Sequence, residues 1–286
     1  METVKSFLFI AVELTILFFV ITFLISALQA YIPYKKIEHY LSEKNTWVGV
    51  IAALLFAFIT PFCSCSTIPV VVNMLRKNMP FAIVMIFLFA SPVLDPTILT
   101  LMGVILGWKV TIIYTIVTAT FSVIIGFSLT KLGFSRYVKS VMMTGYEEET
   151  KSFHWKGAWD ETLTLMKGVY PYLIIGAAIG AVIHGMVPTA WVSEWLGQES
   201  WWIVPIAAVV GIPLYIRLSS MIPISQVFIL KGMALGPVMA MMISSAGASL
   251  PEVILLKSIF KKQLVIAFVL SVITMATLSG FIFYLV

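Results

Sequence analysis

The chain has 286 residues, of which 60% are hydrophobic and only 11% are charged, and its mean hydropathy is +1.05. Soluble domains carry roughly 25% charged residues, so this chain cannot cover a water-soluble globule with polar surface, which excludes soluble enzymes, nucleic-acid-binding proteins and disordered proteins. The 18 Lys and Arg residues exceed the 13 Asp and Glu residues, as expected when basic residues flank the cytoplasmic ends of membrane helices. We therefore expect a multi-pass membrane protein.

Six segments meet the requirement of about 20 mostly apolar residues for a membrane-spanning helix. The predicted spans run from Phe7 to Ala30, Pro80 to Leu106, Val110 to Thr130, Thr162 to Met186, Ala234 to Leu256 and Leu264 to Val286. The first contains Glu13 and is too long for a signal peptide, so we expect it to be retained. Regions 46–78 and 201–230 are too long for one helix and contain paired prolines, which predict a re-entrant or broken helical hairpin in each.

The two hairpin regions resemble each other. In both, two prolines bracket a short polar stretch, and a lysine, Lys77 or Lys231, lies eight residues after the second proline. A long span with a polar, proline-containing break follows in each half, around Asp95 and around Glu252, and a further helix closes each half. We therefore predict an all-α polytopic membrane protein with a first repeat over 1–130, a charged linker over 131–161 and a second repeat over 162–286.

The basic residues orient the predicted repeats. With the linker in the cytoplasm, most of the 18 Lys and Arg residues lie on the cytoplasmic side; Lys5, Lys109 and Lys231 lie outside, and Arg217 lies at membrane depth. This is the bias that cytoplasmic loops show. Each repeat then has three full spans plus a hairpin, and the odd number of crossings inverts the second repeat relative to the first. Inverted repeats with broken helices recur in secondary transporters.

The sequence Cys63-Ser64-Cys65-Ser66 is the sharpest chemical feature of the chain. Side chains two residues apart share one side of an extended segment but not of a helix, and Pro61 and Pro69 disfavour a continuous helix. We therefore expect an extended segment on which the two thiols converge beside the serine hydroxyls. Thiolates suit soft, thiophilic solutes, and the cysteines would be metal ligands only if a soft metal ion were transported. The alternative is that cysteine acts here as a small hydrophobic core residue.

Ionisable residues inside membrane spans are costly and usually functional. We expect Asp95 and Arg217 to contact the solute, and Asp95, Glu252 and Glu13 to provide proton coupling. The alternative for Asp95 and Arg217 is a buried ion pair that holds the two halves together. No resident cofactor is predicted, because the sequence lacks the Gly-rich phosphate loops and zinc-binding motifs that would mark one.

Residues 61–69, Pro-Phe-Cys-Ser-Cys-Ser-Thr-Ile-Pro, and residues 90–97, Ala-Ser-Pro-Val-Leu-Asp-Pro-Thr, resemble the predicted-permease family that includes the ArsP-type efflux permeases. Ser-Leu-Pro-Glu at 249–252 also fits this resemblance. The resemblance implies an integral inner-membrane permease rather than an enzyme, and ArsP members export trivalent organoarsenicals. Carried over by position, Cys63 and Cys65 would be the metalloid ligands; two thiols, rather than three, fit a monomethylated or monoaryl arsenical.

The predicted function is therefore secondary transport of a small thiophilic solute, with a trivalent organoarsenical as the best single substrate. The predicted partners of the protein are the solute, the lipid bilayer and a coupling proton, and no nucleic acid is expected. Three alternatives stay open: a permease for a soft metal ion or a sulfur compound, a membrane thiol oxidoreductase that uses the Cys63 and Cys65 pair, and a membrane scaffold without transport. The oxidoreductase would lack a second cysteine pair to pass electrons onward, because the chain has only 2 cysteines.

Overall fold

The computed structural model describes residues 46–59, 64–76, 79–139, 201–213 and 233–284, with short stretches within 12–20, 159–171 and 221–229. These residues are almost entirely helical, which confirms the predicted all-α class. The helices are α1 Thr46–Ile59, α2 Ser64–Arg76, α3 Phe81–Ala90, α4 Pro96–Ile105, α5 Trp108–Lys131, α6 Ile203–Gly211, α7 Leu235–Gly247, α8 Leu250–Ile259 and α9 Lys262–Ile282. The predicted spans Phe7 to Ala30 and Thr162 to Met186 lie largely outside the described residues.

Three helical segments of the described chain are long and apolar enough to cross a membrane. They are α5, α9 and the run Leu235–Ile259 that contains α7 and α8. All three coincide with spans predicted from the sequence, so the predicted membrane character is confirmed. The run that contains α7 and α8 is much more deeply enclosed by the protein than α5 or α9.

Two predicted spans are broken where their prolines lie. Residues 91–95 separate α3 from α4, and Pro96 is the first residue of α4. Ala248 and Ser249 separate α7 from α8, and Pro251 lies in the first turn of α8. Proline has no N–H to donate to the preceding turn but fits the first turn of a helix, where that donor has no helical acceptor. The proline-containing breaks predicted from the sequence are therefore confirmed.

The described helices pack in two sets that contact each other. In the first set α3 packs against α1 and α5, and in the second set α7 packs against α6 and α9. The sets meet where α5 contacts α9 and where α2 contacts α8. After α5 and a 3-10 turn, Phe134–Tyr137, an antiparallel bridge joins Val138 to Phe260. The Lys139 amide donates to the Ile259 carbonyl at 2.9 Å, so the segment after α5 is tied to the α8–α9 junction.

The expectation of an extended segment over Cys63-Ser64-Cys65 is wrong for two of these residues. Ser64 and Cys65 form the start of α2, and Pro69 lies inside the same helix instead of ending it. A proline at this position removes one helical hydrogen bond, the one to the Cys65 carbonyl. The helix continues because Ile68 and Val70 on either side are buried in the apolar core, and packing compensates for the lost bond. Cys63 lies outside the described residues.

Candidate functional site

The start of α2 lies against the break between α3 and α4. The hydroxyl oxygens of Thr67 and Ser91 are 3.2 Å apart, within hydrogen-bonding distance, and both residues are completely buried. Thr67 lies two residues after Cys65 in the first two turns of α2, and Ser91 opens the turn that separates α3 from α4. This contact therefore brings the cysteine-bearing end of α2 to the Ser91–Asp95 break.

Asp95 is the N-cap of α4. Its carboxylate oxygen Oδ1 accepts a hydrogen bond from the Thr97 amide at 2.7 Å, and Pro96 follows as the first helical residue. Asp and Asn are preferred at this position because they satisfy an amide that has no helical acceptor, and a negative charge is favoured at a helix N-terminus. Asp95 is half-buried.

Glu252 lies in the first turn of α8 and is completely buried. The helix that carries it contacts α2, and Leu255, Leu256 and Ile259 on α8 share an apolar core with Ile68 and Val71 on α2. A carboxyl group taken out of water is costly unless it is neutral or well paired. The helix α8 of the second set, which carries this buried acidic group, therefore packs on the cysteine-bearing helix of the first set.

Asp95 and Glu252 are not at equivalent positions. Asp95 precedes the first residue of α4, whereas Glu252 is the third residue of α8 and Ser249 is the N-cap of that helix. The sequence matches the two acidic residues only roughly, and relative to the starts of their helices they differ by three positions. Ser249 occupies the N-cap position of α8, but its side chain makes no capping hydrogen bond.

Part of the predicted site cannot be located. Cys63, Glu13 and Arg217 lie outside the described residues, as do the side chains of Ser64, Cys65 and Ser66. Of the predicted site, the structure brings α2 against the break that contains Asp95 and packs α8, which carries Glu252, on α2. Among the described residues no group of three or more His, Cys, Asp or Glu side chains converges as a metal site would require.

A row of buried hydroxyl groups on α5 was not predicted. The buried positions of this helix include Thr111, Tyr114, Thr118 and Ser122, which recur every three or four residues and so share one face. The signal in the sequence is this spacing of polar residues within an apolar span. The spacing alone does not indicate a site, because Ser and Thr are common in membrane helices, where their hydroxyls bond carbonyls of the preceding turn.

Broken apolar helices with polar residues at the breaks and a buried carboxyl group are features of membrane permeases. The predicted permease family ArsP_1 matches residues 1–285, and the chain belongs to this family. The resemblance seen in the cysteine and Asp95 segments is thereby confirmed.

Two relatives of this chain both carry the family name UPF0718. The UPF0718 protein MJ0584 of Methanocaldococcus jannaschii is 30% identical over 122 residues, which is 43% of this chain and 33% of the relative. The UPF0718 protein YraQ of Escherichia coli is 27% identical over 241 residues, which is 82% of this chain and 67% of the relative. The chain thus matches a third of the length of the first relative. No solved structure matches the chain significantly.

Proposed function

We propose that this permease exports a small thiophilic solute from the cell, and that trivalent organoarsenicals with one organic group represent the substrate class. The membership in a permease family supports transport. The observation that carries the substrate class is the sequence Cys63-Ser64-Cys65, whose last two residues begin α2. A trivalent arsenical with one organic group has two sites for thiolates, and thiolates prefer soft acceptors over hard ions such as Mg²⁺.

Cys65 is the second residue of α2 and therefore lies at the N-terminus of that helix. The first amides of a helix have no helical acceptors, and the aligned peptide dipoles attract negative charge. Helix α2 is 13 residues long, enough for this effect to develop. Ser64 and Ser66 would supply hydroxyl contacts, and Cys63 would be the second thiol.

We further propose that the protein consists of two inverted repeats. The helices α3, α4 and α5 begin at Phe81, Pro96 and Trp108, and α7, α8 and α9 begin at Leu235, Leu250 and Lys262, a constant difference of 154 residues. The contacts repeat as well, because α1, α3 and α5 pack in the same order as α6, α7 and α9. An unrelated second half would have no reason to keep one offset through three helices.

The close backbone contacts within the helix pairs α3–α5 and α7–α9 also support the proposed repeat. A Cβ atom on Gly126 of α5 would lie 3.0 Å from the Ala82 carbonyl oxygen, and one on Gly280 of α9 would lie 2.9 Å from the Gly236 carbonyl oxygen. Gly126 and Gly280 differ by 154 in number, and so do Ala82 and Gly236. The pair α3–α5 and the pair α7–α9 therefore pack through the same positions.

The offset also aligns the two hairpin sequences. Ser66-Thr67-Ile68-Pro69 matches Ser220-Met221-Ile222-Pro223, and Cys63 matches Arg217. Thr67 and Met221 are both buried, and so are Ile68 and Ile222. In the proposed architecture the soft ligands of one hairpin therefore face Arg217 of the other across the solute.

Transport would proceed by alternating access, with one repeat moving against the other around the bound solute. Asp95, Glu252 and Glu13 would exchange the coupling proton, and Arg217 would neutralise an anionic group of the solute or of a carboxylate. Glu252 is the strongest candidate for proton exchange, because it is completely buried on a helix that packs on α2. The linker over 131–161 would lie in the cytoplasm, on the side of most Lys and Arg residues.

The test is solute uptake into everted membrane vesicles with a panel of thiophilic compounds. The panel contains phenylarsenous acid, monovalent silver and thiosulfate, and the native protein is compared with a Cys63→Ser/Cys65→Ser variant. We expect the native protein to accumulate phenylarsenous acid and the double variant to lose this uptake while remaining folded in the membrane. Equal uptake by the two proteins would contradict the proposed role of the thiols, and uptake of silver or thiosulfate alone would reassign the substrate.

A further inference from the structure

The buried hydroxyl row on α5 differs in polarity from the equivalent face of α9. Thr111, Tyr114, Thr118 and Ser122 correspond, at the offset of 154 residues, to four residues of α9 that are also buried. These counterparts are Val265, Phe268, Val272 and Ala276. Each counterpart is apolar and close in size to its partner, so packing at this place in the fold requires no hydroxyl group. The one buried hydroxyl of α9, Ser279, lies at a different position.

Three of the four hydroxyls donate to carbonyls of their own helix. Thr111 donates to Gly107 at 3.1 Å, Thr118 to Tyr114 at 2.7 Å, and Ser122 to Thr118 at 2.8 Å. Such bonds satisfy the donors and leave the oxygen lone pairs as acceptors on the buried face. The row therefore presents acceptors to whatever lies beside it.

Tyr114 is different. Its side chain is completely buried, and its hydroxyl group has no hydrogen-bond partner among the residues that the structure describes. It belongs to an apolar core that includes Leu99, Met102 and Met275. A buried hydroxyl without a partner carries the full penalty of leaving water, a penalty that Phe268 avoids at the equivalent position of α9. A phenol retained at such a cost points to a polar partner, and buried water is the usual one.

The four residues of the row rise along the helix axis by about 4.5–6 Å from one to the next. Water molecules, which form hydrogen bonds of about 2.8 Å, would link the members of such a row. From Thr111 to Ser122 the row extends over about 16 Å of the helix, roughly half of the hydrocarbon thickness of a bilayer.

We propose that this face of α5 holds a chain of bound water molecules that conducts the coupling proton, an inference that rests on the proposed proton-coupled transport. Tyr114 takes part without changing its charge: its hydroxyl gives a proton to the water on one side and takes one from the water on the other side. Among the residues that the structure describes, the charged groups of α5 and of the elements packed on it are Asp95, Lys109, Lys131, Arg136 and Lys262, which lie at helix ends or in the 3-10 turn. The row itself therefore carries no fixed charge that would stop a proton.

The first test detects the water and does not depend on the solute. Pulsed hydroxyl-radical labelling of the native protein in lipid, read by mass spectrometry, modifies aromatic side chains that touch water. Tyr114 and Phe268 are equally buried by protein, so they form an internal pair. We expect Tyr114 to be labelled at least about tenfold faster, since only Tyr114 would contact bound water. Similar labelling rates for the two rings would overturn the proposal.

The second test measures proton movement. A Tyr114→Phe/Thr118→Val/Ser122→Ala variant gives α5 the residues of its counterpart α9. The matched control, Thr120→Val/Ser128→Ala, removes two exposed hydroxyls of α5 that also bond their own helix. In proteoliposomes with an internal pH dye, we expect the triple variant to lose most solute-driven proton flux while it still binds the solute, and the control to keep both.

Native proton flux in the triple variant would overturn the proposal. If the triple variant does not fold, Tyr114→Phe alone repeats the measurement, since it removes a single oxygen, and unchanged proton flux would again overturn the proposal. If the native protein moves no thiophilic solute, the proposed function fails. The labelling ratio of Tyr114 to Phe268 still decides whether the row is hydrated, so the two failures are distinguishable.

Discussion

Replacing Gly280 by alanine tests how closely the helices of the second set approach. A Cβ atom at this position would lie 2.5 Å from Val204 Cγ1, 2.9 Å from Ala240 Cβ and 2.9 Å from the Gly236 carbonyl oxygen. Carbon atoms prefer separations of about 3.5–4.0 Å, so α6 and α7 would have to retreat from α9 by about 1 Å. Small residues at such crossings let membrane helices pack through their backbones.

The expected magnitude follows from two opposing effects. Alanine stabilises a helix interior by about 1 kcal/mol relative to glycine, whereas overpacking costs about 1–3 kcal/mol. Because one of the close atoms belongs to the backbone and cannot rotate away, we expect Gly280→Ala to lower the free energy of unfolding by about 1–2 kcal/mol. Gly126→Ala should have a similar effect, since its Cβ would lie 2.5 Å from Ile86 Cγ1 and 3.0 Å from a backbone oxygen.

The assay is unfolding of the purified protein in detergent micelles, followed by the fluorescence of its 8 tryptophans. Gly247→Ala is the control, because its Cβ would meet only the methyl groups of Val272, at 3.2 and 3.7 Å, and we expect little change. If Gly280→Ala and Gly126→Ala were as stable as the native protein or more stable, helix propensity alone would account for them. The close packing of the two helix pairs would then be refuted.

Three further substitutions probe the site. Asp95→Ala should lose about 1 kcal/mol of stability because α4 loses its cap, whereas Asp95→Asn should keep the native stability. A drop in transport by a stable Asp95→Asn protein would identify a role beyond capping. Native transport by this variant would limit the role of Asp95 to the cap. Thr67→Val should cost about 1 kcal/mol in the unfolding assay by removing the hydroxyl contact to Ser91, and an unchanged unfolding midpoint would show that this contact does not stabilise the fold. Glu252→Gln should fold normally and exchange solute across the membrane but lose accumulation driven by a pH gradient, and native accumulation would exclude Glu252 from coupling.

Much of the helix layout was predictable because proline has one strong local effect. Pro96 directly follows Asp95 and Pro251 lies two residues after Ser249, and both prolines lie in the first turn after a break in an apolar span. The prediction that Pro69 disfavours a continuous helix was wrong, because the buried residues around it stabilise α2 despite the missing hydrogen bond. Asp95 followed by Pro96 is a recognisable helix start, so its capping role was within reach of the sequence.

The importance of the hydroxyl row on α5 could not be predicted from the sequence alone. Its spacing was visible, but Thr and Ser in a membrane helix commonly satisfy themselves on the preceding turn. The row stands out only when α9 is available as a comparison, and that comparison needs the offset that the helix starts define. The burial of Tyr114 without a described partner is a property of the packing and has no counterpart in sequence pattern.

The most direct test of the proposed chemistry is the stoichiometry of arsenical binding to the purified protein. Native mass spectrometry of the protein incubated with phenylarsenous acid should show one bound arsenic per chain, with both thiols protected from maleimide labelling. Cys63→Ser and Cys65→Ser should each prevent this bidentate binding, because only one thiol remains in either variant. If the native chain bound no arsenical, or if the double serine variant bound it equally well, these cysteines would not form the solute site.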